Sequence, residues 1–502
     1  MKRFLGAGAW LFVGIMLGRI LGLVRDVIIG NQFGVGVEAD RAVFVITIPD
    51  VMINILIGGA MGAALIPEFK RRNAEENWAL LRQASGLVLV IVGIVTAALI
   101  LSAEGLTRML VSGLPEDAIP GTAKLVMVAL LAVPITAVSA VVRARLQGEE
   151  RFAVPSLAGF FYNLMIVAGL VFASGIGNLT GLAVAAVLGA GLSLLMQVWD
   201  AWRFRAPGVN AWQIEWGLVG RFLGALVAGM MILIVPVALR GFASANGVGG
   251  QTTAYLAAKL VELPMGTLLS VVSIAMFPAV AAALAKEDGF EEARDFARQG
   301  IGVILALAVP IALGMGFFAQ GFADLLYRHG EMTFNDARLI AQLGAIMMVG
   351  LIPQAVNTML LAIFNGYRDM WTPFWISLIG LAVFLGFGFA GVIDLMSLAW
   401  LYSGFHWVVM LGLLISLGGR HKMWLVDAFV GGQALIRLGA TIGVFGVCFV
   451  GLQQVKVFLF PPIFVVLLAI SAGGFAMIGG LMVDREIRGK VKGVILRKMG
   501  RS

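Results

Sequence analysis

Residues 84–103 read ASGLVLVIVGIVTAALILSA, an unbroken stretch without a single charge. A helix rises about 1.5 Å per residue and a hydrocarbon core is about 30 Å thick, so about 20 apolar residues suffice to cross it. In lipid a helix also satisfies its own backbone hydrogen bonds, which a loop cannot do. This stretch therefore predicts a transmembrane helix. Working outward, the same test is met by 5–28, 40–66, 123–146, 154–175, 179–202, 217–240 and 252–284 on either side of it. It is met again by 299–326, 337–365, 372–393, 396–418, 430–452 and 459–483. Pro264 and Pro278 fall inside 252–284 and read as kinks in one long helix rather than a break into two. The sum is about fourteen spans, an all-α polytopic membrane protein. Composition agrees: 60% of the 502 residues are hydrophobic and 13% charged, against roughly 25% charged in soluble domains. The 65 glycines suit helices that approach closely in lipid.

The charge pattern sets an expected orientation. Lys70, Arg71 and Arg72, then Arg143, Arg145 and Arg151, Arg203 and Arg205, Lys286, Arg294 and Arg298, Arg420 and Lys422, and the tail from Arg485 to Arg501 fall in alternate connections. With the N-terminus inside, roughly 25 Lys and Arg lie on the cytoplasmic side and about 7 outside, as the positive-inside rule requires. Both termini are then expected to be cytoplasmic. The net charge of +8 is thus membrane topology and not a nucleic-acid surface. Met1 to Val24 resembles a signal peptide, yet it lacks a small-residue cleavage site and carries Arg19, so it reads as a retained first helix. The lone Cys448 excludes a disulfide framework.

The chain echoes itself. Leu146 to Pro155 (LQGEERFAVP) aligns with Phe364 to Pro373 (FNGYRDMWTP), so that Gly148 matches Gly366 and Pro155 matches Pro373. Pro49 and Pro67 of the second span are echoed by Pro264 and Pro278 of the eighth. A separation of six spans preserves orientation, which implies two six-helix lobes related by a parallel repeat plus two appended helices. The expected division is residues 1–205, residues 206–420, and residues 421–502 with the last two helices and a basic tail.

Ionisable residues within spans are costly and mark cavities or partners. The first span holds Arg19, Arg25 and Asp26; the second holds Asp50, with Asp40 at its start; the eighth holds Lys259 and Glu262. Arg19 has no acid on its own helix within a turn, and with Lys259 it is expected to line a cationic cavity. A structural role stands beside this: Lys259 and Glu262 are spaced i,i+3 and can pair on one helix, and Arg25 can bridge to Asp26 or Asp50.

Gly18-Arg19-Ile20-Leu21-Gly22-Leu23-Val24-Arg25-Asp26, followed by Phe33-Gly34 and Asp40, resembles the N-terminal signature of the MurJ/MviN lipid II flippases. Lys259-Leu260-Val261-Glu262-Leu263-Pro264 resembles their eighth helix, and Arg151-Phe152 with Pro155 and Asp369 with Thr372-Pro373 resemble their loops. The resemblance implies a member of the multidrug/oligosaccharidyl-lipid/polysaccharide exporter superfamily that moves the lipid-linked peptidoglycan precursor lipid II across the inner membrane for cell wall synthesis. It implies that Arg19, Arg25 and Lys259 contact the pyrophosphate, that Asp26, Asp40, Asp50 and Glu262 act as charge partners or in gating, and that helices 13 and 14 add a groove for the polyprenyl tail. The partners are lipid II and membrane lipids, and the protein is expected to be a monomer without cofactor or metal. The sequence departs from the family where Asp50, Ile53, Asn54 and Gly58 stand; relatives there carry Asn, one or two arginines and an acid. One cation is lost and one carboxylate gained. Relatives also carry arginine where Lys259 stands, and lysine keeps the charge without the bidentate fork.

No P-loop, strand-borne GxGxxG or HExxH is present, and no aspartate cluster of the DDxxD type that a diphosphate enzyme needs for magnesium. An enzyme is not expected. The alternative is a related exporter of another polysaccharide-lipid or of drugs; a carrier of cationic drugs would want a net negative cavity, to which Asp50 and Glu262 could contribute.

Overall fold

A computed structural model describes residues 2–55, 61–176, 179–203, 234–390, 393–430, 432–454 and 461–482. Among these residues all regular structure is helical. The chain divides into two compact units, residues 1–253 with 329–332, and residues 254–328 with 333–502.

The first unit runs α1 (Lys2–Phe33), α2 (Val37–Ile55), α3 (Met61–Arg71), α4 (Ala74–Leu101), α5 (Ala103–Leu110), α6 (Ala118–Leu130), α7 (Ala132–Gly148), α8 (Ala153–Ser156), α9 (Ala158–Ile176) and α10 (Thr180–Trp202). It continues into α11 (Ile234–Ser244) and the first turn of α12 (Gly250–Pro264). The second unit takes the rest of α12, a π-turn (Met265–Leu269) and α13 (Ser270–Leu284). It then runs α14 (Phe290–Phe317), α15 (Ala319–Leu326), α16 (Phe334–Gly366), α17 (Trp371–Phe389), α18 (Leu395–His421), α19 (Asp427–Val430), α20 (Gly432–Gln454) and α21 (Pro462–Met482).

Nine helices among the described residues are long and apolar enough to cross a membrane. With α1, α2–α3, α11, α20 and α21 they are consistent with about fourteen spans, and the chain is an all-α polytopic membrane protein. Residues 250–284 form one span, as the two prolines predict. Pro264 costs a backbone hydrogen bond, and the helix absorbs the loss in the π-turn that follows it. Two expectations change. Residues 299–326 are not one helix: α14 ends at Phe317, and α15 is a separate amphipathic turn. The first span ends at Phe33 rather than 28. The expected seventh span, 217–240, lies outside the described residues up to 233.

The repeat reappears element by element. The pair α14–α15 starts at 290 and 319 where α4–α5 starts at 74 and 103, and α16 starts at 334 where α6 starts at 118. The offset is 216 each time. The loops after α7 and α16 each carry a left-handed residue, Glu150 (φ 60°) and Arg368 (φ 58°). A Cβ on Gly148 would stand 2.8 Å from Phe69 of α3, and one on Gly366 would stand 2.9 Å from Leu284 of α13. Each loop is therefore pressed onto the end of the second span of its repeat.

Each loop is also tied to the end of the sixth span of its repeat, with the charges exchanged. In the first unit Arg151 donates to the Asp200 carboxylate and, at 3.3 Å, to its carbonyl. In the second, Asp369 forms an ion pair with Arg420 (3.3 Å) and meets His421 Nε2 at 3.1 Å. Burial pushes the Asp369 carboxyl up, but hydrogen bonds from Thr372 and His421 and the Arg420 charge hold it below its ordinary value. Arg151→Asp should destabilise the first unit by about 2 kcal/mol, the scale of a hydrogen bond to a charged group left unmade. Arg151→Asp with Asp200→Arg should recover most of it, measured as Tm in detergent; a double variant no better than the single would refute the tie.

Helices α20 and α21 are docked at one end by aromatic packing, with Phe318, Phe445 and Phe449 against Val465 and Ala469, and Phe317 against Phe449. At the other end Asp427 pairs with Arg298 and, at 3.6 Å, with Arg294 of α14. Between these fastenings lies a largely apolar cavity of about 230 Å³, lined by Leu305, Val309, Ile352, Trp407, Phe429 and Leu438 among others.

Candidate functional site

The position of α1 follows from its small residues. Gly14, Gly18 and Gly22 recur every four residues, so they form one stripe along the helix. A Cβ on Gly14 would lie 2.2 Å from Ser156 Oγ, and one on Gly18 would lie 3.2 Å from the Gly159 carbonyl carbon. Backbones at that separation pack α1 directly on α8 and α9, the close approach that small residues permit in lipid. This contact brings Arg25 to Asn163.

Arg25 is 5% exposed and Asp26 is 3% exposed. Arg25 Nε donates to Asp26 Oδ1 at 3.0 Å, while Nη1 donates to Asp50 Oδ2 at 2.9 Å and to Asn163 Oδ1 at 3.2 Å. Tyr162, also buried, lies within electrostatic reach of Asp50 and Arg25. The cluster thus sets two carboxylates on one guanidinium. Such a buried cation is neutralised in place by its carboxylate partners.

Arg19, six residues earlier on the same helix, is different. It is exposed and makes no hydrogen bond or ion pair with the described residues. It lies 14 residues before the end of α1, whereas Lys259 lies nine residues into α12.

Lys259 Nζ donates to Glu262 Oε2 at 2.5 Å and stands 5.0 Å from the centre of the Tyr255 ring. The i,i+3 pair available in the sequence is made. The aromatic face adds a cation–π contact, of roughly 0.5–2 kcal/mol in general.

Asp40 stands apart from these cations. It is fully buried and accepts from the Gly249 amide (2.7 Å), the Thr252 amide (2.8 Å) and the Thr252 hydroxyl (2.7 Å). That is the arrangement of a carboxylate at a helix N-terminus, where unpaired amides favour negative charge. Among the described residues no cation pairs with it.

Of the residues singled out in the sequence, the structure brings Arg25, Asp26 and Asp50 together, pairs Lys259 with Glu262, and leaves Arg19 and Asp40 apart. Asn163 and Tyr255 were missed. A lone asparagine in the apolar run 154–175 is a signal that could have found the first; nothing marks Tyr255 beyond its place one turn before Lys259.

The architecture defines a class. The structure of the lipid II flippase MurJ in an inward closed conformation superposes with TM-score 0.77 at 18% identity, covering 98% of this chain and 99% of that one. An inward-facing multidrug resistance MATE family transporter of the MOP superfamily superposes with TM-score 0.64 at 16% identity, covering 85% and 99%. The fold is shared with these two transporters. The family model "Lipid II flippase MurJ" matches residues 29–466, and the chain belongs to that family. The probable lipid II flippase MurJ of Vibrio cholerae is 26% identical over 451 residues, 81% of this chain and 83% of that one. That of Thermotoga maritima is 25% identical over 464 residues, 89% and 93%.

Proposed function

We propose that the protein flips lipid II from the cytoplasmic to the outer leaflet by alternating access, and that Arg19, Arg25 and Lys259 hold its diphosphate. The observation that carries this reading is Arg19: an exposed arginine on an apolar helix, without a partner among the described residues. Such a charge is costly in a membrane unless an anion is meant to reach it. Arg25 is loaded in reserve. In the absence of substrate Asp50 and Asp26 neutralise it, and the arriving diphosphate takes the place of Asp50. Glu262 plays the corresponding part for Lys259. The two six-helix lobes comprise helices 1–6 and 7–12, and the apolar cavity beside α20 takes part of the polyprenyl tail. No bond is made or broken in such a cycle, so the protein acts as a transporter and not as an enzyme, and in this reading it works as a monomer.

Depletion in the native cell tests the substrate. Lysis with accumulation of the lipid-linked wall precursor is expected; unchanged growth with normal precursor levels would overturn the assignment.

Both termini are proposed to be cytoplasmic. In a Cys448→Ser background, a cysteine at Glu287 should react with an impermeant thiol reagent only from the cytoplasmic side, and one at His329 only from outside. The opposite pattern would invert the topology.

A further inference from the structure

Asn163 is placed where neither the charge pattern nor packing alone requires an amide. Its Nδ2 donates to the Gly18 carbonyl at 3.1 Å and to the Gly159 carbonyl at 3.1 Å, while its Oδ1 accepts from Arg25 Nη1 at 3.2 Å. A Cβ on Gly22 would come 3.6 Å from the same Nδ2, so the side chain lies against α1 between Arg19 and Arg25. Gly18 precedes Arg19 directly, so one amide contacts the backbone beside one cation and the guanidinium of the other.

We propose that Asn163 is a positioning residue for substrate recognition, which fixes the α1 segment from Gly18 to Arg25 and holds the Arg25 guanidinium in place when Asp50 leaves it. The inference rests on the reading of Arg19 and Arg25 as diphosphate ligands. Asp50 lies on α2, across a helix boundary from Arg25, whereas Asp26 is the adjacent residue and Asn163 belongs to the helix packed against α1 by backbone contact. When an anion displaces Asp50, Asp26 and Asn163 are among the partners that remain. Asparagine suits the position where aspartate would not. It accepts from Arg25 without adding a third carboxylate to a cluster that already has two, and its NH₂ satisfies two carbonyls, which a carboxylate would repel.

The test uses the full-length protein in detergent with Asn163→Leu, which keeps the branched skeleton without hydrogen-bonding groups, and Asn163→Asp. Two probes are compared by native mass spectrometry: undecaprenyl diphosphate and the uncharged undecaprenol. Loss of a hydrogen bond to a charged group predicts that Asn163→Leu binds the diphosphate at least about tenfold more weakly, with undecaprenol binding unchanged. Asn163→Asp should show the same selective loss, because it adds negative charge beside Arg25. A merely structural residue would lower both affinities together. Hydrogen exchange of residues 14–26 in the substrate-free protein supplies a second readout that needs no lipid. Faster exchange in Asn163→Leu is expected, and unchanged exchange in a folded variant would overturn the positioning role. If the unmodified protein fails to prefer the diphosphate while exchange still quickens, the substrate reading falls and the anchoring of α1 stands.

Discussion

Cells whose only copy of the protein carries Arg19→Ala are expected not to grow, although the variant should reach the membrane in normal amount. The side chain is exposed and makes no hydrogen bond or ion pair with the described residues, so its removal should act on the ligand and not on the fold. A charge-assisted hydrogen bond to phosphate is roughly twice as strong as a neutral one. Losing it should weaken binding of a diphosphate lipid by on the order of 30- to 100-fold. Arg108→Ala is the control. Arg108 is an exposed arginine on α5, paired with Glu104 and Glu116, and exposed pairs of that kind contribute little. Growth of the Arg19→Ala strain at the rate of the Arg108→Ala strain would remove the anion site.

The second large effect is expected at Lys259. Reversal to glutamate places an acid beside Glu262, 2.5 Å from where the ammonium now sits, and should abolish both complementation and lipid II binding. Arginine at the same position should keep or improve function, because it retains the charge and adds the fork that reads phosphate. Asp50→Asn probes the other half of the exchange. It would leave Arg25 its hydrogen bonds to Asp26 and Asn163 while removing the carboxylate that competes with substrate. Tighter lipid II binding and slower turnover are expected, with growth retained. Binding of lipid II by Lys259→Glu at the native level would sink the account of this site. Complete inactivity of Asp50→Asn would do the same for the exchange, and would point to a required charge on Asp50, as in the drug-exporter alternative.

Much of the architecture could be read from residue order. Spans such as 84–103 and 123–146 announce themselves because lipid imposes one requirement on every turn of a helix, and that requirement is written in consecutive residues. The echo of Leu146–Pro155 in Phe364–Pro373 led to loops that do share a left-handed residue and a close-packed glycine. Where the reading failed, the cause was local. Residues 299–326 are apolar enough to read as one span, but composition does not register the turn at Phe318, where α14 gives way to an amphipathic helix packed beneath α21.

The site divides along the same line. Sequence alone was enough to name the ionisable residues stranded in spans, because an isolated charge in an apolar run is visible without any contact being known. It left open which of them meet. That Arg25 takes Asp26 and Asp50 together, that Asp40 turns away to accept from Gly249 and Thr252, and that Asn163 anchors the whole segment were decided by tertiary packing. The reason is geometric. Partners 25 and 138 positions apart along the chain meet only once the glycine stripe of α1 has closed onto α9, and the strength of a hydrogen bond depends on tenths of an ångström that residue order does not encode.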